Sequence, residues 1–591
     1  MRFSGVGVVF FASWLTACGG GGGGASLAPP VQNLPTSAPT PGAPTPTPTP
    51  MGVPGNASAL PPIPLGPNGG WGPYSVASAL QFPVQSGYDG TGETVAVVGD
   101  YPPSLSDIQG YLSQFSIVGH HWTYSIENVN GGSLMTDTNG LGEATLDVET
   151  IAGLAPGAAI VFYSIPEPSN ANLTNAYNQI VADGRAKVAS ISYGICESSQ
   201  PAYFQQTVAP IFAQGAAQGI AFVAAAGDSG DRCVANGLQY IGVSYPASDP
   251  NVIGVGGTEN LAASCTALGS ITSQQAWNDF CSVNGQQAAT GGGVSAIFSL
   301  PTYQTGLGGA SNSLRNIPDV AMPAEGVSIY LQGAWELASG TSWSAPQLAA
   351  MIAEIYEYCN TPLIPPSEIF YYVYGTKGYG AFLNVTAGNN RFAGDPTYYS
   401  AHAGFNNVSG IGVPLGMPVA QTVCPNRVPL SLRRATQGAV SLSTQAPAEP
   451  TLLQNVPNLR GLQDLGVRPA GTQTAIVLTL RPTPTVAEDE QRVIAHLTSA
   501  GFTIGKTYSN HLVVNAVGPS SLVSSYFDTQ IHNFAQPGYG VRYANVSPVV
   551  IPASIAAYVQ GVIIDNLIVT GAPPHRLRAM PNSARNGQVF H

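Results

Sequence analysis

The sequence predicts an α/β protein, a parallel sheet wrapped by helices, followed by a smaller α+β unit. Three observations carry that prediction. Short apolar runs that end at turns alternate with helical patterns between about residue 60 and residue 425. At 591 residues the chain exceeds one ordinary domain. Two loose polar stretches, 19–57 and 426–455, divide it into units.

The elements follow in order. Residues 1–18, MRFSGVGVVFFASWLTAC, hold one early cation, an apolar run too short to span a membrane, and Leu15-Thr16-Ala17-Cys18. This resembles a bacterial lipoprotein signal peptide, which implies lipid on Cys18, export, and a membrane partner through the anchor at the bacterial outer membrane, on its periplasmic or outer face. Residues 19–57 are Gly-, Pro- and Thr-rich, an extended tether that packs no core. In 58–425 the runs TVAVVGD (94–100), AAIVFYSI (158–165), VASISYG (188–194) and IAFVAAAGD (220–228) read as strands. NLTNAYNQIVADG and PAYFQQTVAPIFAQGAAQG between them read as helices. Residues 426–455 read as a linker. In 456–572 the order is strand TAIVLTLRP, helix EDEQRVIAHLTSAG, strands FTIGKTY and HLVVNAVG, helix SSLVSSYFD and strand IHNFAQPGYGVRYA, close to a ferredoxin-like split βαβ, closed by a helical PASIAAYVQGVI. A tail, 573–591, ends the chain.

Charged residues make up only 8% of the chain, against about 25% in an average globular protein. The surface must therefore be built from Ser, Thr, Asn, Gln and Gly, and such a surface loses few ion pairs in acid. The net charge of −12 is unevenly divided. Residues 426–591 hold 12 Lys+Arg against 7 Asp+Glu, whereas the rest holds 7 against 24, so opposite charge favours docking of the two units. No basic cluster lies near aromatics, which excludes nucleic acid as a partner. With Cys18 assigned to lipid, six cysteines remain, and proximity in sequence favours Cys196–Cys233, Cys265–Cys281 and Cys359–Cys424 among the possible pairings.

The candidate chemistry centres on SGTSWSAP (339–346). Gly-Thr-Ser shortly before Ala-Pro is how subtilisin-like serine peptidases present a nucleophile, with Ser342 opening a helix whose free N–H groups meet an oxyanion. None of the eight histidines stands in a His-Gly-Thr context. The base is sought instead in GEATLDVETIAGLAPGA, where Glu143 and Asp147 share a helix face with no nearby cation. Such a pair shares a proton. A His with a pKa of about 6.5 is useless as a base at about pH 4, whereas a Glu near 4.3 still accepts a proton. Asp228, after an apolar strand, is placed to donate to the oxyanion when protonated. Asp100, lacking a matching His, reads as a turn residue.

Glu143-Ala-Thr-Leu-Asp147, Ser192-Tyr193-Gly194, Gly227-Asp228-Ser229-Gly230, YPASDPNVIGVGGT (245–258) and SGTSWSAP occur together and in one order. On these motifs the chain resembles the sedolisin family, the serine-carboxyl peptidases that include kumamolisin and pseudomonalisin. The resemblance implies a subtilisin-like fold, with Ser342 as nucleophile, Glu143 as general base and later acid, Asp147 as its orienting partner, and Asp228 for the oxyanion. Ser192, Tyr193 and Gly194 would form the edge that pairs with substrate backbone. The implied partners are protein or peptide substrates, and the activity is acid endopeptidase action.

Two features depart from the family. Its calcium loop uses two Asp side chains, where this chain has Asn384 and Asn406. Loss of two ligand charges lowers calcium affinity, so the favoured reading needs no metal or other cofactor, and Asn hydrogen bonds could hold the loop instead. The prosegment of the family precedes the catalytic domain, yet here the prosegment-like stretches follow it, so the chain's own C-terminal domain becomes an expected partner. A binding protein on a retired scaffold would not need the four intact groups, and a neutral subtilisin would need a histidine that the sequence does not place.

Overall fold

The computed structural model describes residues 58–135, 138–199, 202–260, 272–279, 288–363, 365–392, 395–427, 450–569 and 575–577. The leader, the tether, Cys265, Cys281 and most of the linker lie outside the described residues.

The predicted strands form where the apolar runs stand. β1 (Thr94–Gly99), β2 (Thr123–Asn128), β3 (Ala159–Ser164), β4 (Val188–Ile191), β5 (Ala221–Ala225), β6 (Val252–Asn260), β7 (Gln274–Ala276) and β8 (Val320–Pro323) make one sheet. Seven follow the order β7-β6-β5-β4-β1-β3-β2, and β8 pairs with β6 as well, along the edge opposite β5. Every pairing is parallel except β6 with β7. β4 and β5 are wholly buried, as apolar runs covered on both faces must be. The sequence reading did not mark β2 because its polar TYSIEN forms the half-exposed edge of the sheet.

On one face lie α1 (Leu105–Gln114), α2 (Thr138–Leu154) and α5 (Thr341–Cys359), packed into the largest core through Ile108, Leu146, Ile151, Leu348 and Ile352. All of α5 is buried, and a helix so enclosed is apolar on most of its circumference. On the other face α3 (Asn170–Asp183) and α4 (Ala202–Ala217) bury Leu173, Tyr177, Val208 and Phe212. Two disulfides form as expected from proximity, Cys196–Cys233 and Cys359–Cys424. The hairpin of β9 (Val327–Leu331) and β10 (Ala334–Ser339) leads into α5, and residues 575–577 of the tail pair with β10 as a third strand.

The C-terminal unit is a split βαβ sandwich. β11 (Gln473–Leu480), α6 (Val486–Ala500), β12 (Thr503–Ile504), β13 (Val513–Pro519), α7 (Ser520–Tyr526) and β14 (Val559–Ile563) give an antiparallel sheet of order β12-β13-β11-β14. This is the ferredoxin-like order, but the fourth strand is not the expected one. IHNFAQPGYGVRYA folds as a separate hairpin, Ile531–Gln536 with Gly540–Asn545. PASIAAYVQGVI, read as a helix, is a single turn at Ala553–Ala556 followed by β14. The reason is tertiary: Val559, Val562 and Ile563 bury against β11, and that pairing overrides the local helical pattern. The unit also starts earlier than 456, since Thr451–Leu453 pairs with Val549–Ile551.

The strand period of two decides how this unit docks. Ile476, Leu478 and Leu480 of β11 point into its own helical core, whereas Val477 joins Leu512, Val513 and Ile563 against α3 and α4. The polar contacts there are mostly between neutral groups. Tyr508 Oη donates to Asn175 Oδ1 at 2.7 Å, Asn515 donates to the same oxygen at 2.8 Å, and Asn510 donates to Asn178 at 2.8 Å and Gln214 at 2.9 Å. Arg542 with Glu167 is the one ion pair between the units among the described residues. Opposite net charge therefore contributes little direct contact; amides and apolar area hold the units together.

Candidate active site

The site lies at the carboxyl ends of the sheet, where α5 begins. Gly340 caps α5 at φ 143°, and a Cβ there would stand 2.9 Å from Asp228 Oδ2, so glycine is required. Thr341 then gives both its N–H (2.8 Å) and its hydroxyl (2.7 Å) to Asp228 Oδ1. That fixes the Asp228 carboxyl beside the start of the helix, with Oδ1 committed to Thr341. Ser342, 4% exposed, follows in the first turn with a backbone N–H that no helical carbonyl can accept. Pro346 sits four residues on, and without an N–H it leaves the Ser342 carbonyl without its helical donor. Ser192 Oγ lies 3.5 Å from that carbonyl.

α2 packs directly against α5, which brings Glu143 and Asp147 toward Ser342. Both are buried, at 6% and 1% exposure. Ser192 Oγ donates to Asp147 Oδ1 at 2.8 Å, tying the acid pair to the 192–194 edge. Burial pushes Glu143 above the usual carboxylate range, the Ser342 and Ser192 hydroxyls pull it back in part, and nearby Asp228 adds to the rise. Burial also raises Asp147 well above its ordinary value, followed by repulsion from Glu143. Two buried acids so placed hold a shared proton.

Asp100 differs from the sequence reading. It is not merely a turn residue: it is 4% exposed and accepts a 2.7 Å hydrogen bond from Tyr193 Oη. A Cβ on Gly140, at the start of α2, would collide with its carboxylate. Asp100 thereby locks the Tyr193 ring to the end of β1. The missing histidine was the wrong criterion, because its partner is a phenol. Thr341 was also passed over, although its place between Gly340 and Ser342 marks it as the residue that orients Asp228.

The described C-terminal unit reaches this site. Val569 N–H donates to Pro168 O at 2.8 Å, Ile568 bridges Ser169, and Leu567, Ile568 and Val569 line a small cavity with Gly194 and Ile195.

A subtilase family model matches residues 128–412, and a pro-kumamolisin activation domain model matches 482–567. Kumamolisin of Bacillus sp. (strain MN-32) is 32% identical over 382 residues, 60% of this chain and 64% of its own length. Sedolisin of Pseudomonas sp. (strain 101) is 32% identical over 331 residues, 54% of this chain and 55% of its own. The chain belongs to the sedolisin family. The solved structure of Pseudomonas sedolisin, a serine-carboxyl proteinase complexed with pseudo-iodotyrostatin, superposes with a TM-score of 0.51 at 29% identity, over 58% of this chain and 97% of that one. The fold is thus the expected subtilisin-like α/β one, and the match spans less than two thirds of these two relatives' own lengths. In this chain the activation-domain match follows the subtilase match.

The loop in which the family holds calcium is closed here by an amide. Asn406 Oδ1 accepts from Val408 N–H (3.1 Å), Ser409 N–H (2.9 Å) and Ser409 Oγ (3.1 Å), which fixes the amide orientation. Its Nδ2 then donates to His402 O at 3.0 Å and Gly404 O at 3.4 Å. An N–H donor aimed at those carbonyls occupies the place where a cation would need acceptors, and Asn384 is exposed. These residues do not fit calcium.

Proposed function

We propose that the chain is an acid-active serine-carboxyl endopeptidase whose own C-terminal domain inhibits it, carried on a lipid anchor at Cys18. The convergence of Ser342, Glu143, Asp147 and Asp228 on adjoining helix and strand ends carries this reading. Ser342 Oγ passes its proton to Glu143 and attacks the substrate carbonyl. The oxyanion takes hydrogen bonds from the Ser342 N–H and from Asp228 in its acid form. Glu143 returns the proton to the leaving amine, and water then hydrolyses the acyl-enzyme by the same groups in reverse. Asp147, held by Ser192, accepts the shared proton when Glu143 is needed as a base.

Ser192 to Gly194 pair with substrate backbone. An open groove of about 880 Å³, lined in part by Tyr101, Leu105, Ile126 and Leu141, lies next to the loop after Asp100 and the first turn of α2. Its extent supports binding of an internal stretch of polypeptide, hence endopeptidase action. The inhibitory reading rests on Leu567 to Val569 beside Gly194, and cleavage within 426–455 would separate the two halves.

A pH profile of peptide hydrolysis tests the mechanism. Wild type should give a profile confined below neutrality, with activity lost on the acid side where full protonation of the Glu143–Asp147 pair removes the base. Asp228→Asn keeps a donor and should lower the maximum by about 10- to 100-fold. Full wild-type activity at pH 8 would defeat the scheme.

A further inference from the structure

A second cavity opens directly on Ser342. It is bounded by Ser342, Asp228, Gly194, the Cys196–Cys233 bridge and Arg232, and holds about 60 Å³. It lies between the nucleophile and the 192–194 edge, so a peptide paired to that edge places there the side chain of the residue whose carbonyl is attacked. Its walls cannot widen easily. The disulfide fixes one side, and a Cβ on Gly227 would already stand 2.8 Å from Ser244 Oγ. The volume is small and favours a short side chain over a large aromatic one.

Arg232 supplies the cavity's one cation. Its Nε is ion-paired with Asp395, each side chain 18% exposed, and among the described residues its two terminal nitrogens donate to no protein acceptor. A guanidinium bound along one edge still offers the other edge of its planar fork to a second carboxylate. The other carboxylate on the wall, Asp228, has Oδ1 committed to Thr341. Asp231, next in sequence, is not part of the wall and acts on Tyr399 instead.

We propose that Arg232 makes this cavity selective for a short acidic side chain, so that the enzyme cleaves after Asp or Glu. The inference rests on the peptidase reading above and adds the substrate class. The test uses the acid-incubated full-length chain and peptides that differ only at the residue before the scissile bond (Glu, Asp, Ala, Leu, Phe or Lys), at pH 5, where free Glu is mostly ionised. Wild type should show kcat/KM for Glu or Asp about tenfold or more above Leu, Phe and Lys. Arg232→Ala should bring the Glu-to-Leu ratio to about one, and Arg232→Glu should turn preference toward Lys. If Arg232→Ala does not accumulate, Asp395→Asn serves: it frees Arg232 and should raise the Glu-to-Leu ratio severalfold. Equal or faster cleavage after Leu, Phe or Lys by wild type, or a ratio indifferent to these variants, overturns the pocket alone. Absence of any cleavage that depends on Ser342 overturns the peptidase reading and the pocket with it.

Discussion

The two halves of this chain bury polar groups in different ways. The N-terminal half encloses carboxyls that no cation pairs with among the described residues: Glu143, Asp147, Glu354 and Glu357 lie inside, with Glu354 accepting from Val84 N–H and Glu357 from Gly90 N–H. The C-terminal half puts its one fully enclosed interface acid, Asp565, next to Asn170 at 3.4 Å and otherwise docks through Asn, Tyr and Ser. The first arrangement makes protons part of the structure. The second makes a surface whose complementarity survives changes of pH, since amides and phenols keep their charge state across the acid range. A domain held in this way is released by cutting the chain more readily than by titration.

The comparison can be broken most severely at the acid pair. Ser342→Ala and Glu143→Gln should each lower kcat/KM by about 10⁴-fold or more with the thermal midpoint retained, because chemistry and not packing is lost. A Glu143→Gln variant with near-normal turnover would show that the buried acids are structural alone.

The next effect is at the docking face. Val477→Asp in the full-length chain puts a charge against α3 and α4, and should raise the initial rate, before any processing, by about tenfold. An unchanged initial rate would mean that the C-terminal half does not restrain the catalytic one.

Smaller, but of definite sign, is the response of stability to pH. Burial pushes Glu93, Glu357 and Asp565 up to about 7 and Asp249 to about 6. Each folded-state value exceeds the unfolded one, so the native state binds the proton more tightly. The associated stability is present in full below the ordinary carboxylate range and is lost as pH rises toward 7. The thermal midpoint of the uncleavable Ser342→Ala chain should therefore be higher at pH 5 than at pH 7.5. A lower midpoint at pH 5 would show that ion pairs such as Arg542 with Glu167 outweigh the buried acids.

The smallest effect expected is none. A chelator should leave the midpoint unchanged, since Asn406 already closes the loop with its own amide. A drop restored by Ca²⁺ would show that the amide can turn to accept a cation.

The sequence by itself determined the sheet of the catalytic half, because strands buried on both faces must be written as unbroken apolar runs. It also placed Ser342 at a helix start and Glu143 with Asp147 one turn apart on another helix, since these are local relations that spacing reveals. What it could not decide was anything set by partners distant in sequence. Whether 559–563 is helix or strand depends on β11, whose register supplies the missing hydrogen bonds. Asp100 looked idle until Tyr193, 93 residues away, met it across the sheet. Net charge suggested how the halves attract, but only the packed surface shows which groups touch, and there the charges mostly face solvent while amides meet. Local pattern is written residue by residue; contact order is not, and it was the long-range contacts that chose between conformations of nearly equal local preference.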